Sequence, residues 1–303
     1  MNALKCKWLL PAALLAGLLS LAACNGSTPV IGPVIAPLLP SPTPTLIPTP
    51  TETPIPLALS VNGEGVSQAD FDAEVARYLA AQAALGKPVA QADAEAAVRS
   101  DLTDTLLLAQ GAAGYNYSVD DTALQARIDS LAAQIGGASA LSAWEAAHGY
   151  TDASFRQSLR WQLAAAWMRD RITASVPTSA AQVHVKQILL YNAGDAQSVL
   201  NQLQAGADFD TLAAQYDPIA HGDLGWFPHG YLAEAAIEQA AFALQPGQIS
   251  PIIQTQVGYS ILKLVESDPN RPLAPDALLT LQEHAVQDWL KQRVQQSTIS
   301  PAP

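Results

Sequence analysis

Four stretches in the second half of the chain decide its fold: GADFDTLA at residues 206–213, GDLGWF at 222–227, AAFALQPGQIS at 240–250 and QTQVGYSILK at 254–263. Apolar spacing around them predicts a strand over 183–190 and three helices, at 195–204, 208–216 and 233–242. GDLGWF favours a turn, and Ile249 to Val265 favours a hairpin of two strands around Gly258. One strand, three helices and two further strands make an α+β unit.

The region before this unit is mainly helical. Leu57 to Val61 alternates like a short strand, and the residues that follow favour a turn. Ser67, with Asp70 three residues later, has the pattern of a helix start. Helical spacing then predicts four more helices, at roughly 90–112, 118–135, 139–148 and 151–173.

Prolines separate the α+β unit from one more helix. Pro269, Pro272 and Pro275 are expected to break the chain, and Leu278 to Val294 then has an amphipathic helical pattern. A single helix of this length is not stable alone. We therefore expect it to dock on the preceding helical region.

The first 24 residues have the pattern of an export signal. Lys5 and Lys7 precede an apolar run from Trp8 to Leu21 that is too short to span a bilayer, and the sequence LAAC follows at 21–24. This ending resembles a bacterial lipobox, which implies that Cys24 carries diacylglycerol and holds the mature chain at the membrane surface. The alternative, a buried N-terminal helix, fits poorly with the proline-rich segment that follows.

Residues 25–56 contain ten of the 22 prolines. Such a segment favours extended polyproline geometry and indicates a linker. It could instead be a proline-motif ligand for another domain.

Composition limits the classes of partner. The net charge is −12 with only 15 basic residues, which argues against binding a nucleic acid backbone. The two cysteines are Cys6, expected to leave with the signal, and Cys24, so disulfides and thiol catalysis are not expected. The sequence implies no metal and no organic cofactor.

The four stretches, in this order and spacing, resemble the parvulin family of peptidyl-prolyl isomerases, the PpiC or rotamase type, over residues 178–268. LSVNG at 59–63, followed by Ser67 and Asp70, resembles the start of SurA- and PrsA-type foldases, whose C-terminal helix returns to the N-terminal domain. Together with the export signal and the proline-rich segment, the resemblance predicts five segments: a signal peptide (1–24), a Pro/Thr-rich linker (25–56), a helical chaperone-like domain (57–176), a parvulin domain (177–268) and a C-terminal helical segment packed on the helical domain (269–303).

The parvulin resemblance also implies where substrate would bind. A proline pocket is expected at Leu232 and Ile237, with Phe242 and Trp226 as further substrate contacts. The two family histidine positions are occupied here by Gln187 and Ser260, and Asp217 is the stand-in for the polar residue of a neighbouring loop. Catalysis is therefore assigned to Gln187, Ser260 and Asp217, with both histidines replaced.

The other histidines of the region are not expected to replace the two family histidines. Strand alternation places His184 on the face opposite Gln187. His221 and His229 flank GDLGWF, where exposed loop histidines are expected.

Three functions are compatible with these features. The first is an isomerase acting on unfolded, proline-containing exported polypeptides at the membrane. The second is a non-catalytic chaperone that uses the parvulin unit only to bind peptide. The third, a solute-binding lipoprotein, would need two parallel α/β lobes, and the helical run from 67 to 173 does not provide them.

Overall fold

The computed structural model describes residues 56–301. The predicted signal peptide, the lipidation at Cys24 and the linker up to residue 55 lie outside the described residues. The described chain contains β1 (Leu57–Val61), β2 (Glu64–Ser67), α1 (Gln68–Ala84), α2 (Gln91–Gly114), α3 (Asp121–Ile135), α4 (Ala138–Ala147), α5 (Asp152–Ala174), β3 (Ser179–Leu190), α6 (Ala193–Gln204), α7 (Phe209–Tyr216), β4 (Asp223–Pro228), α8 (Ala235–Ala243), β5 (Ile253–Gln254), β6 (Tyr259–Pro272), α9 (Pro275–Gln296) and β7 (Ile299–Pro301).

These elements form two modules, and the predicted α+β class is confirmed. The helical module contains β1, β2, α1 to α5, α9 and β7. The sheet module runs from β3 to β6, and its two ends lie side by side. Ser179 pairs with Pro272, and the Leu273 N–H donates to the Thr178 carbonyl at 2.9 Å.

Side-chain caps set several helix starts. The Ser67 hydroxyl accepts a hydrogen bond from the Asp70 N–H at 3.1 Å, and Thr151 and Ser154 form a capping box at α5. At α3 the cap is Asp120, which accepts from the Ala123 N–H at 2.7 Å. The helix therefore begins at Asp121, three residues later than the sequence pattern predicted.

A three-stranded antiparallel sheet, in the order β2-β1-β7, completes the helical module. Leu59 and Val61 of β1 are fully buried, as alternation requires of a strand with one face on a core. Val61 pairs with Ile299 of β7, so segments from both ends of the described range meet in one sheet. Strand β7 was not predicted, because a three-residue strand has too little alternation to be recognised.

Helix α9 packs against α2 and α5. Trp289 and Leu290 contact the buried side chains of both helices, and Gln282 Nε2 donates to the Thr173 carbonyl at 3.3 Å. Gly111 of α2 leaves the space for this packing, because a Cβ there would lie 2.6 Å from the Trp289 ring.

The sheet module contains a four-stranded antiparallel sheet, in the order β4-β3-β6-β5. One face packs on α6 and α7 through residues such as Ile188, Leu190 and Ile261. The other face packs on α8 through Val185 and Leu262. We call this second surface the α8 face.

Two elements of this module differ from the sequence prediction. Residues 223–228 form strand β4 where a turn was predicted, because a bulge with Gly225 at φ +70° interrupts the side-chain alternation. Strand β6 continues through Pro269 to Pro272, where a chain break was predicted. Its last residues pair with β3 alone, so a proline nitrogen can point away from the ladder.

Between residues 56 and 301, no helix is both long enough and apolar enough to cross a bilayer.

Candidate functional site

Gln187 and Ser260 lie on neighbouring central strands and contact each other. Gln187 Nε2 donates to Ser260 Oγ at 2.7 Å. Strand alternation puts both side chains on the α8 face, in line with Val185 and Leu262. Ser260 is 0% exposed, whereas Gln187 is only partly buried, so Gln187 is the member of the pair that a ligand can reach.

An apolar cluster adjoins this pair. Leu232, Ile237 and Phe242 pack in one cluster with Leu224 and Phe227. Ile237 is 4% exposed and forms the floor, while Leu232 and Phe242 are partly exposed. The structure therefore brings three of the four predicted substrate contacts to one surface beside Gln187. We call this surface, formed by Gln187, Leu224, Leu232, Ile237 and Phe242, the groove.

The sequence analysis missed two residues of this region. Leu224 joins the apolar cluster from β4. Glu238 of α8 accepts hydrogen bonds from the N–H groups of Gly230, Tyr231 and Leu232, and so fixes the loop that carries Leu232. The signal for Glu238 was its charge in the otherwise apolar helix sequence AAIEQAAFA, since a carboxylate that is largely buried needs partners.

The Asp217 side chain is hydrogen-bonded to the backbone of its own loop. Its carboxylate accepts from the N–H groups of Ile219, Ala220 and Gly222 at 3.2, 3.0 and 3.1 Å. The backbone hydrogen bonds from Ala220 and Gly222 hold its pKa below the usual value. The carboxylate thus closes the loop 217–222, and its catalytic role stays a prediction.

The closed loop lies directly against the strand that carries the site. The Gln187 N–H donates to the Gly222 carbonyl at 2.7 Å. A Cβ at Gly222 would collide with the Gln187 carbonyl, and its φ of +69° also favours glycine. Gly222 therefore allows the loop to approach Gln187.

Trp226 lies on the opposite face of the sheet from the groove. Its cross-strand partner is His184, the two rings are 5.6 Å apart, and the Arg271 guanidinium lies 4.2 Å from the indole centre. The bulge at Gly225 brings Leu224 to the groove and turns Trp226 away from it, so Trp226 does not join the other predicted substrate contacts.

The three histidines of the sheet module lie outside the Gln187–Ser260 pair. His184 lies across the sheet from the groove, with Nε2 2.8 Å from Asp223 Oδ1. His229 is 64% exposed and stacks on Phe242 at a centroid distance of 3.4 Å, so it borders the apolar cluster. His221 is exposed in the loop before β4.

The cations of the sheet module point away from the groove. Residues 178–268 contain two lysines and no arginine, against nine acidic residues. Both lysines, Lys186 and Lys263, contact Asp210 of α7 across the sheet from the groove, at 2.7 and 3.3 Å. The hydrogen bond from Lys186 lowers the Asp210 pKa, with Lys263 adding to it.

The helical module has open grooves of its own. One of about 810 Å³ lies between α5 and α9, with Trp167, Met168 and Trp289 among its lining residues. Another of about 730 Å³ lies between α1 and α4, beside Trp144. Across the described range, no cluster of three or more His, Cys, Asp or Glu side chains is placed to hold a metal ion.

Comparison with known proteins identifies the sheet module. Residues 192–266 match the family model Rotamase, described as the PPIC-type PPIASE domain, which confirms the parvulin resemblance. The foldase protein PrsA of Geobacillus sp. (strain WCH70) is 30% identical over 126 residues, covering 40% of this chain and 42% of that protein. The chaperone SurA of Thiobacillus denitrificans is 36% identical over 99 residues, covering 31% of this chain and 22% of that protein.

The chain spans less than half the length of these curated relatives. Among solved structures, the peptidylprolyl isomerase PrsA of Bacillus cereus is 21% identical, with 77% of this chain and 83% of that chain covered and a TM-score of 0.43.

Proposed function

We propose that this chain, whose residues 192–266 match a PPIC-type peptidyl-prolyl isomerase domain, is a foldase for unfolded, exported polypeptides. It binds proline-containing segments and weakly accelerates cis–trans isomerisation of the peptide bond before proline. The observation that carries this proposal is the Gln187–Ser260 hydrogen bond beside the apolar cluster of a PPIC-type module.

The reaction needs no covalent step. Rotation about the prolyl bond has a barrier of about 20 kcal/mol and takes tens to hundreds of seconds unassisted. A catalyst must bind the twisted amide better than either planar form, by holding the proline ring in an apolar site and directing fixed dipoles at the rotating bond.

The groove can supply both kinds of contact. Leu232 and Phe242 would hold the ring above Ile237, and Gln187 would donate an amide N–H to the substrate carbonyl. Ser260, being fully buried, acts through Gln187 by fixing its amide. The parvulin resemblance gives histidines to these two positions, and we attribute the weak rate to their replacement by two neutral side chains.

Exchange spectroscopy on an Ala-Leu-Pro-Phe peptide tests the proposal without a coupled protease. The full chain should speed cis–trans exchange, and Gln187→Ala should abolish most of that acceleration. Gln215→Ala, on the exposed surface of α7, is the matched control and should leave the rate unchanged. No acceleration by the parent chain would contradict the isomerase assignment, and a rate equal to that of a parvulin with both histidines would contradict the proposed weakness.

The charges indicate which prolines are preferred. Because both lysines of residues 178–268 are held by Asp210 on the far face, no lysine or arginine of this segment is available to receive an acidic residue next to the proline. We expect Ala-Glu-Pro-Phe to bind more weakly than Ala-Leu-Pro-Phe, and equal affinities would contradict this preference.

A second candidate function is a chaperone that holds clients without catalysis. A different surface of the helical module, lined by Trp167, Met168 and Trp289, favours this holding function, because exposed apolar surfaces can bind unfolded segments. The two ends of the sheet module are hydrogen-bonded to each other, so residues 179–272 can be replaced by a short linker. Suppression of client aggregation by that variant would support the holding function, and its loss would place the activity in the sheet module.

Membrane anchoring at Cys24 belongs to the same proposal and is supported by the LAAC sequence at 21–24. Cys24→Ala should move the protein out of the membrane fraction and stop incorporation of labelled fatty acid. An unchanged membrane fraction would contradict the lipid anchor.

A further inference from the structure

The loop that carries Leu232 is held from within its own module by Glu238. This carboxylate is 13% exposed and accepts from the N–H groups of Gly230, Tyr231 and Leu232 at 2.8, 3.1 and 3.2 Å. Three successive backbone donors on one carboxylate fix the path of the loop. Hydrogen bonds to an ionised group are stronger than neutral ones, so this contact also resists local opening.

The same loop is held from outside by the first turns of α9. The Tyr231 hydroxyl donates to Asp276 Oδ2 at 2.9 Å, and this hydrogen bond lowers the Asp276 pKa. Gly230 adds a close approach, since a Cβ there would lie 3.3 Å from Leu281 of α9. The loop therefore touches α9 at two residues, one polar and one apolar.

Helix α9 continues from these contacts into the helical module. Gln282 donates to the Thr173 carbonyl of α5, and Trp289 and Leu290 join the buried core between α2 and α5. One rigid element thus connects the wall of the groove to the core of the other module.

We propose that Tyr231, Glu238 and Asp276 are positioning residues for the groove, and that α9 couples occupation of the groove to the order of its own first turns. This inference rests on the proposed function and deepens it, because it makes the proline site depend on the helical module. Linkage requires the coupling to be reciprocal: a ligand that favours the ordered Leu232 loop also favours the Tyr231–Asp276 contact.

Tyr231→Phe in the full chain is the direct test, because it removes the hydroxyl and keeps the ring in the apolar cluster. Its affinity for Ala-Leu-Pro-Phe should fall about fivefold. In the parent chain, saturating peptide should slow amide hydrogen exchange at residues 278–281 of α9, and in Tyr231→Phe this protection should be lost. Tyr191→Phe, at a tyrosine that is 80% exposed, is the matched control.

Variants at the other partner separate a specific contact from general damage. Asp276→Asn keeps an oxygen that can accept from Tyr231 and should retain the protection, whereas Asp276→Ala should lose it. The effects of Tyr231→Phe and Asp276→Ala on peptide affinity should not add, since both remove one contact. Additive losses would overturn the pairing.

The outcomes distinguish this inference from the proposed function. Tight peptide binding by the parent chain with no change at 278–281 would overturn the coupling and leave the isomerase proposal standing. No peptide binding by the parent chain would overturn the isomerase proposal. In that case Tyr231→Phe should still speed exchange at residues 230–232 without peptide, and unchanged exchange there would overturn the positioning role.

Discussion

Gln187 and Ser260 share a hydrogen bond but differ in access to solvent, and this difference assigns them different tasks. Ser260 is fully buried, so a larger side chain there would overfill the core. Gln187 is partly exposed and can be enlarged toward the groove. Neither group ionises near neutrality, so this pair contributes no pH dependence to the proposed isomerase rate between about pH 5 and pH 8.

Gln187→His should raise that rate and make it pH-dependent. Imidazole is more polarisable than a carboxamide and titrates near pH 6.5, so we expect a gain of about tenfold, or about 1.4 kcal/mol, with an inflection in this range. The pH profile of peptide exchange measures it. Ser260→Ala is the companion variant and should lower the rate by releasing the Gln187 amide. A flat profile for Gln187→His would contradict a catalytic contact at this position.

Protonation of Asp210 should account for part of the loss of stability at low pH. Its pKa is lowered in the folded protein by Lys186, so its contribution to stability is complete above the ordinary carboxyl pKa and disappears as the pH falls through the lower folded value. Asp210→Asn should cost at most about 1 kcal/mol at pH 7, because the carboxylate is half exposed. Urea unfolding from pH 7 to pH 2 should show a smaller acid loss in the variant, and parallel curves would refute this.

The residues of the groove were predictable only in part. Leu232, Ile237 and Phe242 follow from the order of the sequence motifs, because the loop before α8 and α8 itself bring them into one cluster. Trp226 did not follow, since the Gly225 bulge shifts the alternation by one residue and only the backbone angle reveals it. The catalytic role of Asp217 stays a prediction, because a carboxylate in a loop has the same sequence pattern whether it faces substrate or its own backbone.

At the scale of elements, α2 and α9 meet at a position that only glycine fits. Gly111 is buried against the Trp289 ring, whereas Gly114 is exposed at the end of the same helix with open space around it. Gly111→Ala should destabilise the protein by about 1–3 kcal/mol through overpacking. Gly114→Ala should be neutral or stabilise it by up to about 1 kcal/mol, through helix propensity.

Thermal unfolding of the two glycine variants checks this contrast. Equal melting temperatures would show that the packing of α9 on α2 does not require the absence of a side chain at Gly111. The pair is well matched because both substitutions add one methyl group to one helix.

Elements with sustained apolar periodicity were predicted well, and short strands were not. The helices from α1 to α5 have apolar spacing sustained over several turns, so only their ends shifted. Strand β7 has three residues, and β4 contains a bulge, so neither shows the alternation that identifies a strand. The length of β6 was missed because pairing with β3 overrides the usual effect of proline.

At the scale of the whole molecule, β7 closes the helical module. Ile299 packs on its core, and Asn62 exchanges hydrogen bonds with Thr298 through its N–H and its side-chain oxygen. Removing residues 297–303 should cost about 2–4 kcal/mol, from one partly buried isoleucine and several hydrogen bonds.

Urea denaturation of the truncated chain measures this loss. Ser300→Ala, at an exposed position of the same strand, should leave the midpoint unchanged. A truncated chain as stable as the parent would show that β7 contributes no stability.

The pairing of β1 with β7 also determines when the molecule can finish folding. A ribosome releases residues 57–61 long before residues 299–301, so β1 lacks its β7 partner while the residues between them are made. Residues 179–272 have all their strands by then and can complete their own core first. During synthesis the sheet module can therefore be complete before β7 closes the helical module.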